Sequence, residues 1–110
     1  MNKKHREIEQ YRQGDVLLKK IKSIPVSSAR LSGQERIVLA YGEATGHTHV
    51  IGDVENVAVF VGKEGQLYLE VLSQVALEHE EHGTIQIPVG TYERIIQKEY
   101  SPEAIRNVRD

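Results

Sequence analysis

Val57-Ala58-Val59-Phe60-Val61, then Gly62-Lys63-Glu64-Gly65, then Gln66-Leu67-Tyr68-Leu69-Glu70-Val71-Leu72: these three consecutive pieces decide the fold class. The first is a run of β-branched and aromatic residues, the composition of a strand that packs on a pleated surface. The third alternates, with Leu67, Leu69 and Val71 on one face and Tyr68 and Glu70 on the other. That is the period of two of a strand, not the 3.6 of a helix. Two glycines sit in the four residues between the runs, so the whole reads as a β-hairpin with a four-residue loop.

The pattern repeats on both sides. Upstream, Gly14-Asp15 opens a strand over residues 16–22, with Val16, Leu18 and Ile21 as its buried side, and Pro25 ends it. Residues 27–33 read as a loop by composition, 36–41 as a second strand, 42–46 as a turn or loop, and 47–51 as a strand closed by Gly52-Asp53. Downstream, residues 75–79, 84–87 (stopped by Pro88) and 91–97 are further short strands, with Val89-Gly90 as a turn. Short strands at spacings of about ten residues, punctuated by Gly and Pro, predict an all-β small barrel or sandwich. Residues 1–12 read as a polar N-terminal tail with Ile8 and Tyr11 as its only anchors, and 13–100 as the β domain. Ser101-Pro102-Glu103 has an N-cap, a first-turn proline and a dipole-favouring acid, which predicts a short helical segment over 101–110. Asp15 reads as a turn residue, Tyr92 and Tyr100 as half-buried packing groups, and Arg94 as a surface ion-pair partner that stays a site candidate beside Glu93.

Composition bounds the function. A chain of 110 residues, 39% hydrophobic and 27% charged, is one globular domain. With one Phe and no Trp, the core must rest on Val, Ile and Leu. A net charge of -2 supplies no basic field for nucleic acid. The local basic runs 3–6 and 19–22 read as solvated edges that protect strands. There is no cysteine, which excludes disulfides, thiolate metal sites and cysteine nucleophiles. No apolar core follows the basic N-terminal residues and no apolar run is membrane-length, so the expectation is a cytoplasmic protein. Open strand edges make homodimerisation an expectation as well.

Four of the five histidines fall in two clusters, Gly46-His47-Thr48-His49 and His79-Glu80-Glu81-His82. On a strand, residues two apart share a face, so His47 and His49 project together and can chelate one ion. His79 and His82 would face opposite sides of a straight strand and converge only if a turn intervenes, for which Gly83 is suited. If the strand continues, His79 pairs with Glu81. Either way, sets of three imidazoles, or of two imidazoles and a carboxylate, become available. Such sets bind divalent Zn, Fe, Mn or Ni and leave open positions. Glu80, Glu81 or Glu43 is placed to act as base. The bland alternatives are a solvated HxH pair and an exposed charged turn at His79–His82.

The segment from His82 to Glu93 resembles the second motif of the cupins. Gly83, Pro88 and Gly90 match that motif, and Glu93 stands where cupins usually place a histidine. His47-Thr48-His49 resembles the HxH of the first cupin motif, with Asp53 or Glu55 as its downstream acid. The resemblance implies a small β-barrel with a metal in its mouth, held by His47, His49 and Glu93. A wider likeness is to small bacterial proteins with no assigned activity. They share the Gly14–Leu18, Gly46–His49, His79–His82 and Glu99–Pro102 segments. His82-Gly83-Thr84 also has the HxT form of the two-histidine phosphoesterases, which carry that form twice.

Three functions compete. The first is a metal-dependent enzyme acting on a small molecule or a nucleotide. The second is metal-free acid–base cleavage of a phosphodiester, with Arg94 or a lysine holding phosphate. The third is a non-enzymatic partner-binding module with structural or pH-sensing histidines.

Overall fold

The computed structural model describes residues 9–41 and 47–97. Among them ten strands follow one another: Gln10–Gln13 (β1), Val16–Lys20 (β2), Ala29–Leu31 (β3), Ile37–Tyr41 (β4), Thr48–Ile51 (β5), Val57–Val61 (β6), Leu67–Val71 (β7), Val75–Leu77 (β8), Ile85–Ile87 (β9) and Gly90–Ile96 (β10). Tail residues 1–8, the 42–46 loop with Glu43, and the expected C-terminal helix with Tyr100 lie outside the described residues. The helical structure that is described is one 3-10 turn, Val54–Asn56. No helix among the described residues is long and apolar enough to cross a membrane.

The hairpin that decides the fold class pairs Val57 with Val71 and Val61 with Leu67. Its loop closes by Gly65 N–H to Gly62 O at 3.0 Å and Gly62 N–H to Gln66 O at 2.8 Å. Gly65 has φ +87°, a left-handed conformation in which a side chain would be strained. β6 and β7 sit inside a six-stranded sheet of order β1-β2-β10-β7-β6-β3, antiparallel throughout. The hairpins β4–β5 and β8–β9 are joined side by side through Val50 and Glu78, whose main chains exchange two bonds of 2.9 Å.

One apolar cluster unites these parts. Leu18 of β2, Leu39 of β4, Ile51 of β5, Leu69 of β7, Leu77 of β8, Ile87 of β9 and Tyr92 of β10 are all fully buried in it. Each such side chain stabilises by about 1.5–3 kcal/mol relative to exposure. The sheets are not closed: β1 and β3 remain edges of the large sheet.

Four expectations are corrected. Ala29–Leu31, read as loop, is a strand paired with β6. The stretch read as a tail up to residue 12 enters the sheet at Gln10, where Tyr11 pairs with Leu18. Tyr92 is not half-buried but completely buried. Its hydroxyl donates to Pro88 O at 2.8 Å, and burial, with Tyr11 nearby, pushes its pKa up to about 12. Arg94 is not a surface ion-pair residue. It pairs with Leu18 and so shares the core-facing side of β10 with Tyr92, which pairs with Lys20 two residues along β2. Its Nη1 donates to Leu39 O at 2.6 Å, while its Nε is buried without a partner. β4 is bulged between Val38 and Ala40, which takes Leu39 out of the ladder and frees that carbonyl.

Tyr92→Phe keeps the ring and loses the bond to Pro88. It should destabilise the fold by about 1 kcal/mol. Urea denaturation should show a lower midpoint with an unchanged m-value.

Candidate metal centre

The two histidine clusters meet because the chain bends after β8. Glu78 still pairs with Val50, and then the ring of His79 captures the main chain. His79 Nδ1 accepts from the N–H of Glu81 at 3.0 Å and of His82 at 3.2 Å. The bend brings the His79 and His82 rings to 4.6 Å between centroids. His79 becomes the hub of the group, with His49 at 4.3 Å and His47 at 5.7 Å. All four imidazoles expected from the sequence therefore gather in one group.

His49 is the buried member, with 4% exposure. Its Nδ1 lies 2.8 Å from Gln13 Oε1. The Gln13 amide can face only one way, because its Nε2 donates to Leu77 O at 2.8 Å and Gly83 O at 3.0 Å. Gln13 Oε1 is thus an acceptor, His49 Nδ1 carries a proton, and in the neutral ring the lone pair is on Nε2. That is the arrangement in which a histidine ligates a metal while a supporting group holds its other nitrogen. His49 Nε2 stands 3.5 Å from Asp15 Oδ1. Burial, followed by the neighbouring His79, lowers the His49 pKa, against the pull of Asp15.

Glu80 is exposed, yet its position is fixed: Thr48 N–H donates to its Oε1 at 3.0 Å. Main-chain N–H bonds from Glu80 itself and Thr48, with a smaller effect of His47, hold its carboxyl below the ordinary value. Glu81 Oε2 lies 3.5 Å from His47 Nδ1. One ligand atom each from His47, His79 and Glu80 falls within 4.8 Å of the others, a spacing at which one ion can be held.

The weaker candidates separate from this group. Glu93 lies between Lys19 and Tyr68 in the sheet, on the face opposite Tyr92 and the core. Arg94 points inward but bonds to Leu39 O. The residues that sequence reasoning missed are in the β1–β2 turn. Gln13 and Asp15 flank Gly14, whose φ is +59°. A Cβ on Gly14 would stand 2.6 Å from His82 Nε2, so the glycine leaves room for that ring. The only hint in the sequence is a polar Gln where a strand runs into a Gly-Asp turn.

A family model for a domain of unknown function, DUF8820, matches residues 12–97. The chain belongs to the DUF8820 family. No curated protein and no solved structure matches it. The matched span of this DUF8820 domain runs from Arg12 to Gln97, so it takes in the Gln13–Asp15 turn and both histidine clusters.

In the metal-free protein, His49 should titrate below 6.5, the ordinary histidine value. The unfolded chain then binds the proton first as pH falls through 6.5, so stability decreases on acidification until the folded His49 titrates too. Glu80 acts in the same direction: its contribution is lost as pH falls through its lowered folded value. Urea midpoints should therefore fall between about pH 7 and pH 5. Nitrogen-15 spectra should report the Nδ1–H form of His49, and Gln13→Leu should remove that preference.

Proposed function

We propose that this domain holds a divalent transition-metal ion (Zn, Fe, Mn or Ni) at His47, His79 and Glu80, and uses it on a small-molecule or nucleotide substrate. The supporting observation is the approach of these three ligand atoms to within 4.8 Å of one another, from the start of β5 and the bend after β8. Two imidazoles and one carboxylate leave positions for water and substrate, as a catalytic ion requires. When bound, such an ion polarises a substrate oxygen or lowers the pKa of a coordinated water.

The chain's own residues divide the remaining work. Glu80 is kept ionised by main-chain donors, which suits a ligand better than a proton acceptor. Glu81, exposed and 3.5 Å from His47, is the residue we assign as base. His79 carries a conformational cost. Its Nδ1 lone pair already accepts two main-chain N–H groups, so ligation by that atom breaks both bonds. Ligation by Nε2 instead requires that ring to lose its proton or turn over. In this reading the six-stranded sheet and the paired hairpins are the layers of an open sandwich with the centre at one end. The ligand set overlaps the cupin-like one in His47 and departs from it at His49 and Glu93.

Protein purified without a metal-binding tag should carry a transition metal by elemental analysis. After chelation it should be stabilised again by added Zn2+ or Mn2+. His47→Ala or Glu80→Gln removes a ligand outright. Each should weaken binding by more than the roughly 10- to 100-fold loss that follows from removing a supporting residue. Amide exchange at Glu81 and His82 should change on metal binding. Protein without metal, and with no thermal shift on addition of divalent ions, would sink the reading.

A further inference from the structure

Arg94 is a half-buried cation without a counter-charge. Among the described residues no carboxylate pairs with it, and Glu93, its neighbour in the chain, lies on the opposite face of β10. Its hydrogen bond, from Nη1 to Leu39 O, goes to a neutral carbonyl. Burial lowers its pKa, the direction of a cation taken from water with nothing negative beside it. In a guanidinium, the Nε–H and one hydrogen of Nη2 point the same way. They form an edge that holds a carboxylate or a phosphate by two parallel bonds. In Arg94 that edge is the unused one. Nε is closed to solvent without a partner, and Nη2 has none among the described residues. Support of the bulged carbonyl employs Nη1 alone and leaves the second edge unexplained.

The surroundings fit a small-molecule site. Across the inward face of the large sheet, paired residues form one row: Leu18, Arg94, Leu67, Val61 and Ala29. Exposure rises along it, from the fully buried Leu18 through the half-buried Leu67 and Val61 to the exposed Ala29. Arg94 thus stands where the core gives way to solvent. Ile96, two residues on and on the same face, is 39% exposed and extends the apolar surface. A few polar groups set in an apolar lining is the usual make-up of a ligand site. The histidine group is adjacent. Leu39, whose carbonyl Arg94 holds, is followed by Ala40, the cross-strand partner of His49.

We propose that the Nε–Nη2 edge of Arg94 binds an oxyanion, the carboxylate or phosphate group of a small molecule, and that this molecule is the substrate of the metal centre. Its charged end lies on Arg94 and its reacting end extends toward His47, His79 and Glu80. Nε is covered in the ligand-free chain, so binding displaces a side chain at the rim. The assignment to substrate rests on the proposed function; the oxyanion site itself does not.

The test uses the full chain, labelled with nitrogen-15, stripped of metal and dialysed free of chelator. It is titrated with sodium phosphate and, separately, with sodium acetate, at an ionic strength held constant with sodium chloride. The Arg94 Nε–H resonance, assigned through bonds from its own main chain, should move and saturate. Saturation by either anion supports the site, and the tighter of the two names the group. Arg94→Lys keeps the charge and loses the fork. Read at the Leu39 and Ala40 amides, it should weaken binding by about tenfold or more. An Nε–H signal that neither anion moves, or that chloride moves equally, overturns the inference, and this wild-type readout does not depend on how the variant folds. Undiminished binding by a folded Arg94→Lys overturns it too. Metal uptake without the anion response leaves the proposed function standing and sinks the inference. The anion response in a chain that takes up no metal keeps the oxyanion site and sinks the metal-centre reading.

Discussion

One buried amide holds the candidate site together. Gln13 is 3% exposed and its three hydrogen bonds reach three separate parts of the chain. Its nitrogen takes the carbonyl of Leu77, where β8 ends, and that of Gly83, where the bend has finished. Its oxygen takes the ring proton of His49 on β5. The two carbonyls bracket the segment that carries His79, Glu80, Glu81 and His82. A side chain that could not donate would leave both without that partner, at a cost of about 1–3 kcal/mol for the buried carbonyl of Leu77. The position of the bend relative to β5 therefore depends on this amide as well as on the apolar core.

The candidate site is an extension of the core, not an addition to it. On β5, Ile51 is fully buried in the cluster, and two residues earlier the same face presents His49. On β8, Leu77 is fully buried, and two residues later comes His79. The strand period that aims apolar side chains inward carries the imidazoles to the same side once the apolar residues end. Core packing thus sets where His49 and His79 can stand. The ring-to-ring distance of 4.3 Å between them follows from the bridge of Val50 to Glu78, one residue away from each.

How much of this is legible in the sequence depends on whether side chains or main chain do the work. The β6–β7 hairpin and the strands near 16–20, 37–41, 48–51 and 90–96 leave a trace in side-chain composition, in glycine and proline punctuation and, as at Leu67–Val71, in period-two alternation. β3 leaves none, because Ala29, Arg30 and Leu31 are all exposed and pair with β6 by main chain alone. Gly83 makes a bend after β8 one of two options in the sequence. Yet Gly83 is not among the glycines with positive φ, and the device is the His79 ring accepting two main-chain protons. Such a capture is invisible in composition. So is the role of Gln13, whose partners are 36, 64 and 70 residues away in the chain.

Arg94 explains how the inward aim of His49 is tolerated in β4. Ile37 pairs with Ile51 and Val38 with Val50, but the next partner of β5, His49, pairs with Ala40 and not with Leu39. The extra residue keeps the Leu39 side chain in the core while the strand turns more sharply. Its carbonyl loses its ladder partner, and an unpaired buried carbonyl would oppose the bulge. The guanidinium crosses from β10 to take that carbonyl at 2.6 Å. A bond from a charged donor contributes about 1.5–3 kcal/mol, which offsets part of the cost of burying the charge and of the unpartnered Nε. A cation inside a small β domain looks out of place beside Leu18 and Leu67. It is accounted for once the bulge is seen as what sets Ala40, rather than the core residue Leu39, opposite the imidazole that Gln13 orients.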